Sequence, residues 1–473
     1  MSRREITADI CVIGAGSGGL SVAAGAAQLG LSTVLFEKGE MGGDCLNYGC
    51  VPSKALIAAG EAAQAARDAG RLGVKAGKVT VDFAAVMAHV HKTIETIAPI
   101  DSQERFEGLG VTVIREPARF EDARTVGSDS VQVRARKFVI ATGSHAAVPP
   151  IPGLDQVPYL TNETVFGLKA LPERLIVLGG GPIGVELGQA FRRLGSEVVI
   201  IEAGVLLPRE DPACAAVVAD QLAADGVEVL TGAPATAVEA GPVVVVGEGA
   251  SARRIEGTHL LIAVGRQPAI SGLNLEAGGI AYTRAGITTR RDLRTTNPRV
   301  FAVGDAAGRG QFTHLAGAHA GLVVRRAIFG LPVNADALVV PRVTYCDPEV
   351  ASVGITEAEA RTAHGAGIRV ETFPFHDNDR AQAEGDGRGF GKLILTKAGK
   401  VLGVTLVGRH AGDHIHIWSL ALSGGVKLGA FTGMIAPYPT RGEIAKRLAG
   451  QFYTPALFSD RTRRLVSVLK RFA

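Results

Sequence analysis

Apolar residues along this chain gather in short runs that alternate with glycine-rich turns and longer helical stretches. The run at residues 10–13, the small-residue stretch after it and the run STVLFE predict a strand, a helix and a second strand that ends at Glu37. The segment LIVLG, a second helical stretch and SEVVIIE repeat this order and end at Glu202. The pattern predicts two strand–turn–helix–strand units, which are typical of α/β proteins with parallel sheets.

Each unit carries three glycines in the turn after its first strand: Gly14, Gly16 and Gly19 in the first, and Gly179, Gly181 and Gly184 in the second. Glycines at this spacing let a pyrophosphate rest on the helix N-terminus, and the acid about twenty residues later binds a ribose hydroxyl. Glu202 favours NADH over NADPH, because its carboxylate repels a 2′-phosphate and Ala203 and Gly204 supply no arginine. Arg192 and Arg193, on the intervening helix, are expected on a solvated face.

Composition and the N-terminus narrow the class of protein. The length of 473 residues predicts about three domains, and 47% apolar residues with 61 glycines fit an α/β protein with many tight turns. A net charge of +4, with both signs mixed, gives no indication of a nucleic-acid partner. The uncharged stretch 10–36 is long enough to cross a bilayer, but six glycines favour a strand, a helix and a strand. No signal-peptide pattern is present, and we expect a cytoplasmic protein.

Two cysteines, Cys45 and Cys50, lie close together in the string GGDCLNYGCVPSKA. A pair at this spacing opens and closes as a disulfide without large backbone movement when the two Cβ atoms face each other. At a loop-to-helix junction, the helix N-terminus and Lys54 lower the pKa of a thiol and make it reactive. The sequence therefore predicts a redox-active pair. The remaining cysteines, expected as small buried hydrophobic residues, are Cys11, Cys214 and Cys346.

Together these motifs resemble the class I flavoprotein (pyridine nucleotide) disulfide oxidoreductases, the group that contains dihydrolipoamide dehydrogenase, glutathione reductase and mercuric reductase. The resemblance covers almost the whole chain and rests on the first glycine motif, GGDCLNYGCVPSK, ATGS, GGGPIGVE, AVGRQP, FAVGDAAG and PYPTRGE. It implies an α/β fold with two Rossmann-like dinucleotide-binding domains and a C-terminal α+β dimerisation domain, in a homodimer. The implied boundaries are 1–149 and 271–335 for the FAD domain, 150–270 for the NAD(P)H domain and 336–473 for the dimerisation domain.

The resemblance also implies the cofactors and the path of the electrons. FAD would lie along the first glycine motif, with Glu37 at its ribose and Asp305 at its side chain, and NADH would lie along the second motif with Glu202. Electrons would pass from nicotinamide to flavin and on to the disulfide, where Cys50 faces the flavin and Cys45 attacks the acceptor. The other residues that the resemblance assigns to the cofactors are Gly43, Thr142, Gly143, Gly265, Arg266 and Gly304.

Two further pairs complete the implied catalytic set. Lys54 and Glu186 match an ion pair beside the flavin, although a surface position for Glu186 is the alternative. The segment from Tyr438 to Glu443 corresponds to a His-Pro-Thr-x-x-Glu motif whose histidine is an acid–base group supplied across the dimer. A tyrosine, with an ordinary pKa of about 10, is a poor base at neutral pH, but it donates hydrogen bonds and binds metals through its oxygen. Mercuric reductases also carry this tyrosine, yet they use a C-terminal cysteine pair, and this chain has no cysteine beyond Cys346.

We therefore expect an FAD-dependent, NADH-linked thiol-disulfide oxidoreductase that acts on a lipoyl-type or protein disulfide. A mercuric reductase-like metal reductase is the first alternative, and a partner-bound electron-transfer subunit with low intrinsic turnover is the second. Oxidase or peroxidase activity is disfavoured, because such relatives usually keep one redox cysteine. The physiological acceptor and the direction of electron flow stay open.

Two segments near the C-terminus carry additional possibilities. His410, His414 and His416 cluster in GRHAGDHIHIW, but we expect no metal site because no cysteine is close and the family has a related helix near its dimer interface. The tail RTRRLVSVLKRFA resembles a short basic amphipathic helix of the kind that rests on a membrane. For this tail we favour a solvated end helix packed on its own domain.

Overall fold

The computed structural model describes residues 3–249 and 252–472, and its first part is built around a mainly parallel sheet. Strands β3, β2, β1 and β6 run parallel, while β5 and β4 extend the sheet in antiparallel pairs. The elements up to residue 146 are β1 (Arg4–Ile13), β2 (Thr33–Phe36), β3 (Val111–Ile114), β4 (Arg119–Asp122), β5 (Thr125–Gly127), β6 (Val131–Ile140) and β7 (Ser144–Ala146), with α1 (Ser17–Gln28), α2 (Gly43–Asn47), α3 (Cys50–Asp68), α4 (Phe83–Ile97) and α5 (Gln103–Gly108).

The first apolar run lies at the centre of this sheet. Residues 10–13 of β1 are buried and pair with β2 on one side and with β6 on the other. A strand with a neighbour on each edge and both faces covered needs apolar side chains at every position, which explains the continuous run. Residues 10–36 therefore form a strand, a helix and a strand, as predicted. Within the described residues, no helix is both long and apolar enough to cross a membrane.

A second parallel sheet repeats the plan of the first. Its strand order is β10–β9–β8–β14, and a three-stranded antiparallel sheet, β11–β12–β13, is built from the intervening chain. The short strand β15 pairs with β7 and so links the two units. The elements are β8 (Arg174–Leu178), β9 (Glu197–Ile201), β10 (Glu228–Leu230), β11 (Ala235–Glu239), β12 (Val243–Val246), β13 (Arg253–Glu256), β14 (His259–Ile262) and β15 (Arg266–Pro268), with α6 (Pro182–Leu194) and α7 (Pro212–Asp225).

The chain then returns to the first sheet before it forms a third unit. Strand β18 pairs in parallel with the end of β6, and a 3-10 helix at Gly304–Ala307 follows it. This return uses β16 (Tyr282–Thr283), β17 (Gly286–Ile287), β18 (Val300–Ala302) and α8 (Thr313–Ala327).

The third unit is an antiparallel sheet with helices, in the order β19–β20–β23–β22–β21. In its core Trp418 is fully buried and stacks on Phe431, with 4.2 Å between ring centroids. The predicted α/β fold class, two Rossmann-like units followed by an α+β unit, is confirmed. The elements are β19 (Arg342–Thr344), β20 (Glu349–Gly354), β21 (Ile368–Pro374), β22 (Phe390–Thr396) and β23 (Val401–Gly408), with α9 (Glu357–His364), α10 (Asp379–Ala383), α11 (Ala411–Gly424), α12 (Leu428–Gly433), α13 (Ile444–Leu457) and α14 (Asp460–Leu469).

Two sequence interpretations need correction. Arg193 lies on no solvated face: it is 3% exposed and sits 2.8 Å from Asp225 and 2.8 Å from Asp347, so it joins the second unit to the third. A buried guanidinium is tolerated because both carboxylates pair with it. The tail does not pack on its own domain either, since α14 buries none of its residues. The last tail residue, Ala473, lies outside the described residues.

Helix α3 packs along α6 and thereby connects the first unit to the second. A Cβ atom added at Gly60, in the middle of α3, would lie 3.3 Å from the Ala190 carbonyl oxygen and 3.4 Å from the Ala190 Cα. Leu56 on α3 and Phe191 on α6 are fully buried in the same apolar cluster. The missing side chain at position 60 therefore sets how closely the two helices approach.

We predict that Gly60→Val lowers the free energy of unfolding by about 1–3 kcal/mol, because the added methyl groups push α3 and α6 apart. Thermal and urea unfolding followed by circular dichroism measure this loss. Gly70→Val is the matched control, since a Cβ at Gly70 meets nothing within 4 Å, and it should change stability by less than about 0.5 kcal/mol. Equal stability of the two variants would contradict the packing argument.

Candidate active site

The loop that carries the cysteine pair lies directly on the first glycine-rich turn. Gly42 and Gly43 both have positive φ, and a Cβ at Gly43 would lie 2.7 Å from the Gly16 Cα. The Gly42 amide donates to the Ala15 carbonyl oxygen over 3.0 Å. Because only glycine permits both this conformation and this approach, the loop holds its two thiols at the mouth of the first dinucleotide turn.

The two sulfurs have opposite proton affinities. Cys50 is the first residue of α3, and the Cys45 thiol donates a hydrogen bond that lowers the pKa of Cys50 to about 6, with further help from Thr313 and Lys54. The Thr313 Oγ1 lies 3.5 Å from the Cys50 Sγ. The same interaction with Cys50, together with burial, raises the pKa of Cys45 well above its ordinary value. At neutral pH the pair is therefore a thiolate at Cys50 and a thiol at Cys45.

An ion pair links the dithiol helix to the second unit. The Lys54 Nζ on α3 lies 2.7 Å from the Glu186 Oε2 on α6, and the Glu186 side chain is 8% exposed, so it occupies no surface position. The other Glu186 oxygen accepts the Tyr345 amide over 2.9 Å, and the Lys54 Nζ lies 4.3 Å from the centre of the Tyr345 ring. Three units of the fold thus meet at this ammonium group.

The first glycine-rich turn has the shape of a dinucleotide cradle. Gly14 has a φ of +104°, and a Cβ there would lie 2.5 Å from the Ala141 carbonyl oxygen. The Glu37 carboxylate accepts the Ala15 amide over 2.6 Å and the Gly39 amide over 2.7 Å. The carboxylate therefore ties the turn to the end of β2, in the place where a ribose hydroxyl is bound.

The second turn repeats this construction almost atom for atom. Gly179 has a φ of +113°, and a Cβ there would lie 2.3 Å from the Ala263 carbonyl oxygen. Glu202 accepts the Gly180 amide and the Gly204 amide, each over 2.7 Å. Helix α6 begins at a proline and directs its N-terminus at the space above Gly181, where an added Cβ would meet nothing within 4 Å.

A polar cluster closes the side of the first cradle opposite β2. Ser144 donates to the Asp305 carboxylate over 2.5 Å, and the Arg266 Nε donates to the Ser144 hydroxyl over 2.7 Å. Arg266 also lies 3.0 Å from the Asp44 carboxylate, beside Cys45 in the sequence. Burial raises the pKa of Asp305, while the Ser144 hydroxyl and the Arg266 charge oppose that rise.

One open cavity of about 1340 Å³ connects the cysteines with both cradles, and it exceeds the roughly 300–1,000 Å³ of ordinary small-molecule sites. In its wall lie Cys45, Cys50, Lys54, Glu186, Gly16, Gly143, Gly179, Gly181, Glu202, Gly265, Arg266, Gly304 and Asp305. The expected cofactor residues that do not line the cavity are Gly14, Gly19, Glu37, Gly43, Thr142 and Gly184.

The residues around the cavity test whether a cofactor fits it. Gly16 and Gly181 line the cavity at the N-termini of α1 and α6, and a Cβ added at either glycine would meet nothing within 4 Å. The Thr142 hydroxyl gives no such indication: its Oγ1 is buried without a hydrogen-bond partner within the part of the chain that the structure describes, and Thr142 does not line the cavity. With the two glycine turns and the two ribose-type carboxylates, the residues present fit a pair of dinucleotides.

Two expected catalytic residues lie elsewhere in the single chain. Tyr438 is 69% exposed on the third unit and outside the cavity wall, and its hydroxyl donates to the Asp379 carboxylate over 2.9 Å. This hydrogen bond raises the pKa of Tyr438 above its ordinary value. Glu443 accepts the Arg447 Nε over 2.9 Å. Neither residue is brought to the cysteines of its own chain.

The three histidines of the segment GRHAGDHIHIW lie in different surroundings. His410 precedes α11 with a φ of +59°, His414 is partly buried on that helix, and His416 lines the cavity. Burial lowers the pKa of His414, and the neighbouring His410 adds to this effect. Within residues 3–249 and 252–472, no three histidine, cysteine or carboxylate side chains form a group that could hold a metal ion.

Sequence reasoning missed several residues of the site. Thr313 and Tyr345 approach the dithiol helix from parts of the chain more than 250 residues away, and no motif pointed to them. His319 is also absent from the predictions: it is 1% exposed and accepts the Gly304 amide at Nδ1 over 3.2 Å. Burial lowers the pKa of His319 to about 4, so its ring is neutral and holds the turn beside Asp305.

Comparison with known proteins gives the same assignment along the chain. Residues 8–320 match the family described as pyridine nucleotide-disulphide oxidoreductase, and residues 340–449 match its dimerisation domain. A mercuric reductase of Bacillus cereus is 36% identical over 444 residues, which are 93% of this chain and 70% of that protein. A dihydrolipoyl dehydrogenase of Bacillus subtilis (strain 168) is 38% identical over 460 residues, which are 94% of this chain and 96% of that protein.

A solved structure shares the fold over nearly the whole chain. The HOCl-induced flavoprotein disulfide reductase RclA from Escherichia coli superposes with a TM-score of 0.83 at 29% identity, covering 93% of this chain and 99% of RclA. RclA has also been solved as a Cu(II) complex. Two dinucleotide cradles around a cysteine pair define an oxidoreductase of the flavin and nicotinamide class. The chain belongs to the class I pyridine nucleotide-disulfide oxidoreductases, a family that binds FAD and a pyridine nucleotide.

We predict that Cys45→Ala raises the pKa of Cys50 from about 6 toward the ordinary thiol value near 8.5, because it removes the hydrogen-bond donor that contributes most to the lowered pKa. The pH dependence of iodoacetamide alkylation of the reduced protein, read by peptide mass spectrometry, gives this value. Cys45→Ser keeps a hydroxyl donor and is the matched control, with a smaller rise. Identical profiles for the alanine and serine variants would contradict the hydrogen-bond argument.

Proposed function

We propose that this protein is an NADH-dependent, FAD-containing reductase that delivers electrons through Cys45 and Cys50 to a disulfide acceptor of the lipoyl or protein type. The observation that carries the proposal is the Cys45–Cys50 pair, held at the N-terminus of α3 in the wall of a cavity shared by two dinucleotide cradles. The match to a dimerisation domain supports a homodimer as the working form.

The two cradles have separate tasks in this proposal. The first cradle and the Ser144–Asp305 pair are suited to hold FAD, and the second cradle is suited to hold NADH. When bound, FAD supplies a two-electron relay between a nicotinamide and a dithiol. The chain contributes fixed backbone donors, two ribose-type carboxylates and a wall that brings both sites next to the cysteines.

The two cysteines divide the reaction with the acceptor. The Cys45 sulfur, after losing its proton, attacks one sulfur of the acceptor disulfide, which forms a mixed disulfide and releases the other acceptor sulfur as a thiolate. The Cys50 thiolate then attacks the Cys45 sulfur, closes the Cys45–Cys50 disulfide and releases the second acceptor sulfur. The acceptor gains two electrons and two protons, one proton from Cys45 and one from solvent.

Lys54 and Glu186 act in opposite directions on the pKa of Cys50 in the cysteine pair. The Lys54 ammonium lowers the pKa of Cys50, and the Glu186 carboxylate opposes it. Because the Glu186 carboxylate also holds the ammonium at 2.7 Å, it fixes the counter-ion of the Cys50 thiolate in place. We assign both residues a role in positioning charge beside the thiolate.

A second candidate is the reduction of a soft metal ion, and Tyr438 favours it. Disulfide exchange needs a group that removes the Cys45 proton at neutral pH, whereas a hydrogen bond to Asp379 raises the pKa of Tyr438 further from that range. Two thiolates bind a soft ion directly, and the ion itself displaces the thiol proton. The mercuric reductase relatives and the Cu(II) complex of RclA support this second candidate.

We predict that the purified protein oxidises NADH with lipoamide as acceptor at a rate limited by loss of the Cys45 proton, and that Cys45→Ser abolishes this turnover, since the attacking sulfur is lost. Steady-state absorbance at 340 nm measures the rate, with thiol-complexed Hg(II) tested in parallel. Tyr438→His should raise the lipoamide rate about tenfold or more, because an imidazole supplies the missing base. Tyr438→Phe, which supplies no base, is the matched control.

The outcomes separate the hypotheses. Turnover with Hg(II) and none with lipoamide would replace the first candidate by the second. Turnover that survives in Cys45→Ser would reject both. Slow turnover with every acceptor, together with rapid reduction of the bound flavin by NADH, would favour a partner-bound electron-transfer subunit.

The preference for NADH rests on Glu202. Its carboxylate already accepts two backbone amides at the ribose end of the second cradle, so a 2′-phosphate there would meet a negative charge with few free donors. Arg209 in the cavity wall is a cation outside the two glycine motifs.

We predict that Glu202→Ala raises the ratio of kcat/KM for NADPH to that for NADH at least about tenfold, or about 1.4 kcal/mol. Removing the carboxylate frees the Gly180 and Gly204 amides and abolishes the repulsion. Glu37→Ala, the equivalent change in the first cradle, is the control: it should lower FAD content and leave this ratio unchanged. A wild-type preference for NADPH would overturn the argument and point to Arg209.

A further inference from the structure

The C-terminal helix α14 presents an apolar face that no other part of the described chain covers. The helix has no buried residue, and the exposed fractions of its large apolar side chains and of the one in the turn after it range from 46% to 85%. The preceding junction adds Leu457 and Phe458, which are 59% and 63% exposed. The apolar residues of the helix and the turn are Leu465, Val466, Val468, Leu469 and Phe472.

Most of the basic residues of this segment lie away from its apolar stripe. Leu465, Leu469 and Phe472 follow the i, i+4, i+7 spacing of one helical stripe. The opposite side carries Arg463, Arg464, Lys470 and Arg471, whereas Arg461, four residues before Leu465, lies on the apolar stripe in the first turn. Within residues 3–249 and 252–472, the ion pair that this helix makes is that between Arg463 and Asp460, at 3.8 Å. Most of the basic charge therefore faces solvent.

The helix has a defined start and a fixed attachment. The Ser459 hydroxyl caps it by accepting the Thr462 amide over 3.3 Å, and the Thr462 hydroxyl donates back to the Ala456 carbonyl oxygen of α13 over 3.0 Å. The segment also lies beyond residues 340–449, which match the dimerisation domain. An ordered helix outside the matched domain, with its apolar face open to solvent, needs a partner to cover that face.

We propose that α14 docks this protein on an anionic lipid surface. Leu465, Leu469 and Phe472 enter the headgroup region, and the basic side chains reach lipid phosphates on either side of the helix. A short helix with segregated faces, a cationic polar side and low overall hydrophobicity lies in the plane of a membrane interface. Charge decides between occupants: a second copy of α14 would bring equal positive charge against the first, whereas anionic lipids complement it.

The test uses the full-length FAD-loaded protein and co-sedimentation with vesicles. Binding to phosphatidylcholine–phosphatidylglycerol vesicles (3:1) should be at least tenfold stronger than binding to pure phosphatidylcholine at 50 mM NaCl. It should fall severalfold at 500 mM NaCl, because salt screens the basic side chains. Absent binding, or equal binding to both kinds of vesicle, would overturn the proposal.

Variants separate the helix from the rest of the surface. Leu465→Ser with Leu469→Ser keeps every charge and should lower binding to anionic vesicles at least tenfold, with NADH oxidation unchanged. Leu29→Ser with Leu72→Ser is the matched control, since both leucines are about half exposed elsewhere on the chain, and it should bind like the wild type. Equal losses in the two double variants would overturn the proposal. The proposal would also be overturned if light scattering showed that the α14 variant dissociates the protein while vesicle binding stays unchanged. That result would identify a second copy as the occupant.

Discussion

The contact between α3 and α6 at Gly60 is the constraint on which the site depends. Because no side chain separates the helices there, Lys54 on one and Glu186 on the other come within 2.7 Å, and the Cys50 thiolate gains a fixed counter-ion. The same contact joins the sheet that bears the first cradle to the sheet that bears the second. One missing methyl group thus brings together the two sheets around the cavity and the ion pair beside its sulfur.

The parts of the site that sequence could predict are those built from neighbouring residues. Within each unit, the glycine turn, the strand ends and the acid (Glu37 or Glu202) lie within about thirty residues of one another, so spacing alone indicated their geometry. The Lys54–Glu186 pair spans 132 residues and was expected only from family resemblance. Thr313 escaped prediction because its contact with Cys50 depends on how β18 returns the chain to the first sheet.

The burial or exposure of polar side chains was the least predictable property of the site. Two adjacent arginines on an amphipathic helix usually face solvent, yet Arg193 lies between two carboxylates from different units. The burial of such a group depends on tertiary packing that a single helix does not encode. Tyr438 poses the opposite problem: its motif predicted a catalytic position, but the chain leaves it exposed against Asp379 and outside the cavity wall.

The Glu37 and Glu202 carboxylates hold the two cradles in the same way, and this affects how each dinucleotide binds. Since Glu37 and Glu202 hold their turns through backbone amides, hydrogen bonds of the chain itself define the shape of both pockets. Little chain entropy is then lost on binding, so association draws on preorganised donors and the affinity depends mainly on what covers each ligand afterwards. A tightly retained flavin would stabilise the native state by mass action, whereas a nicotinamide that exchanges at every turnover would leave stability close to that of the flavin-bound form.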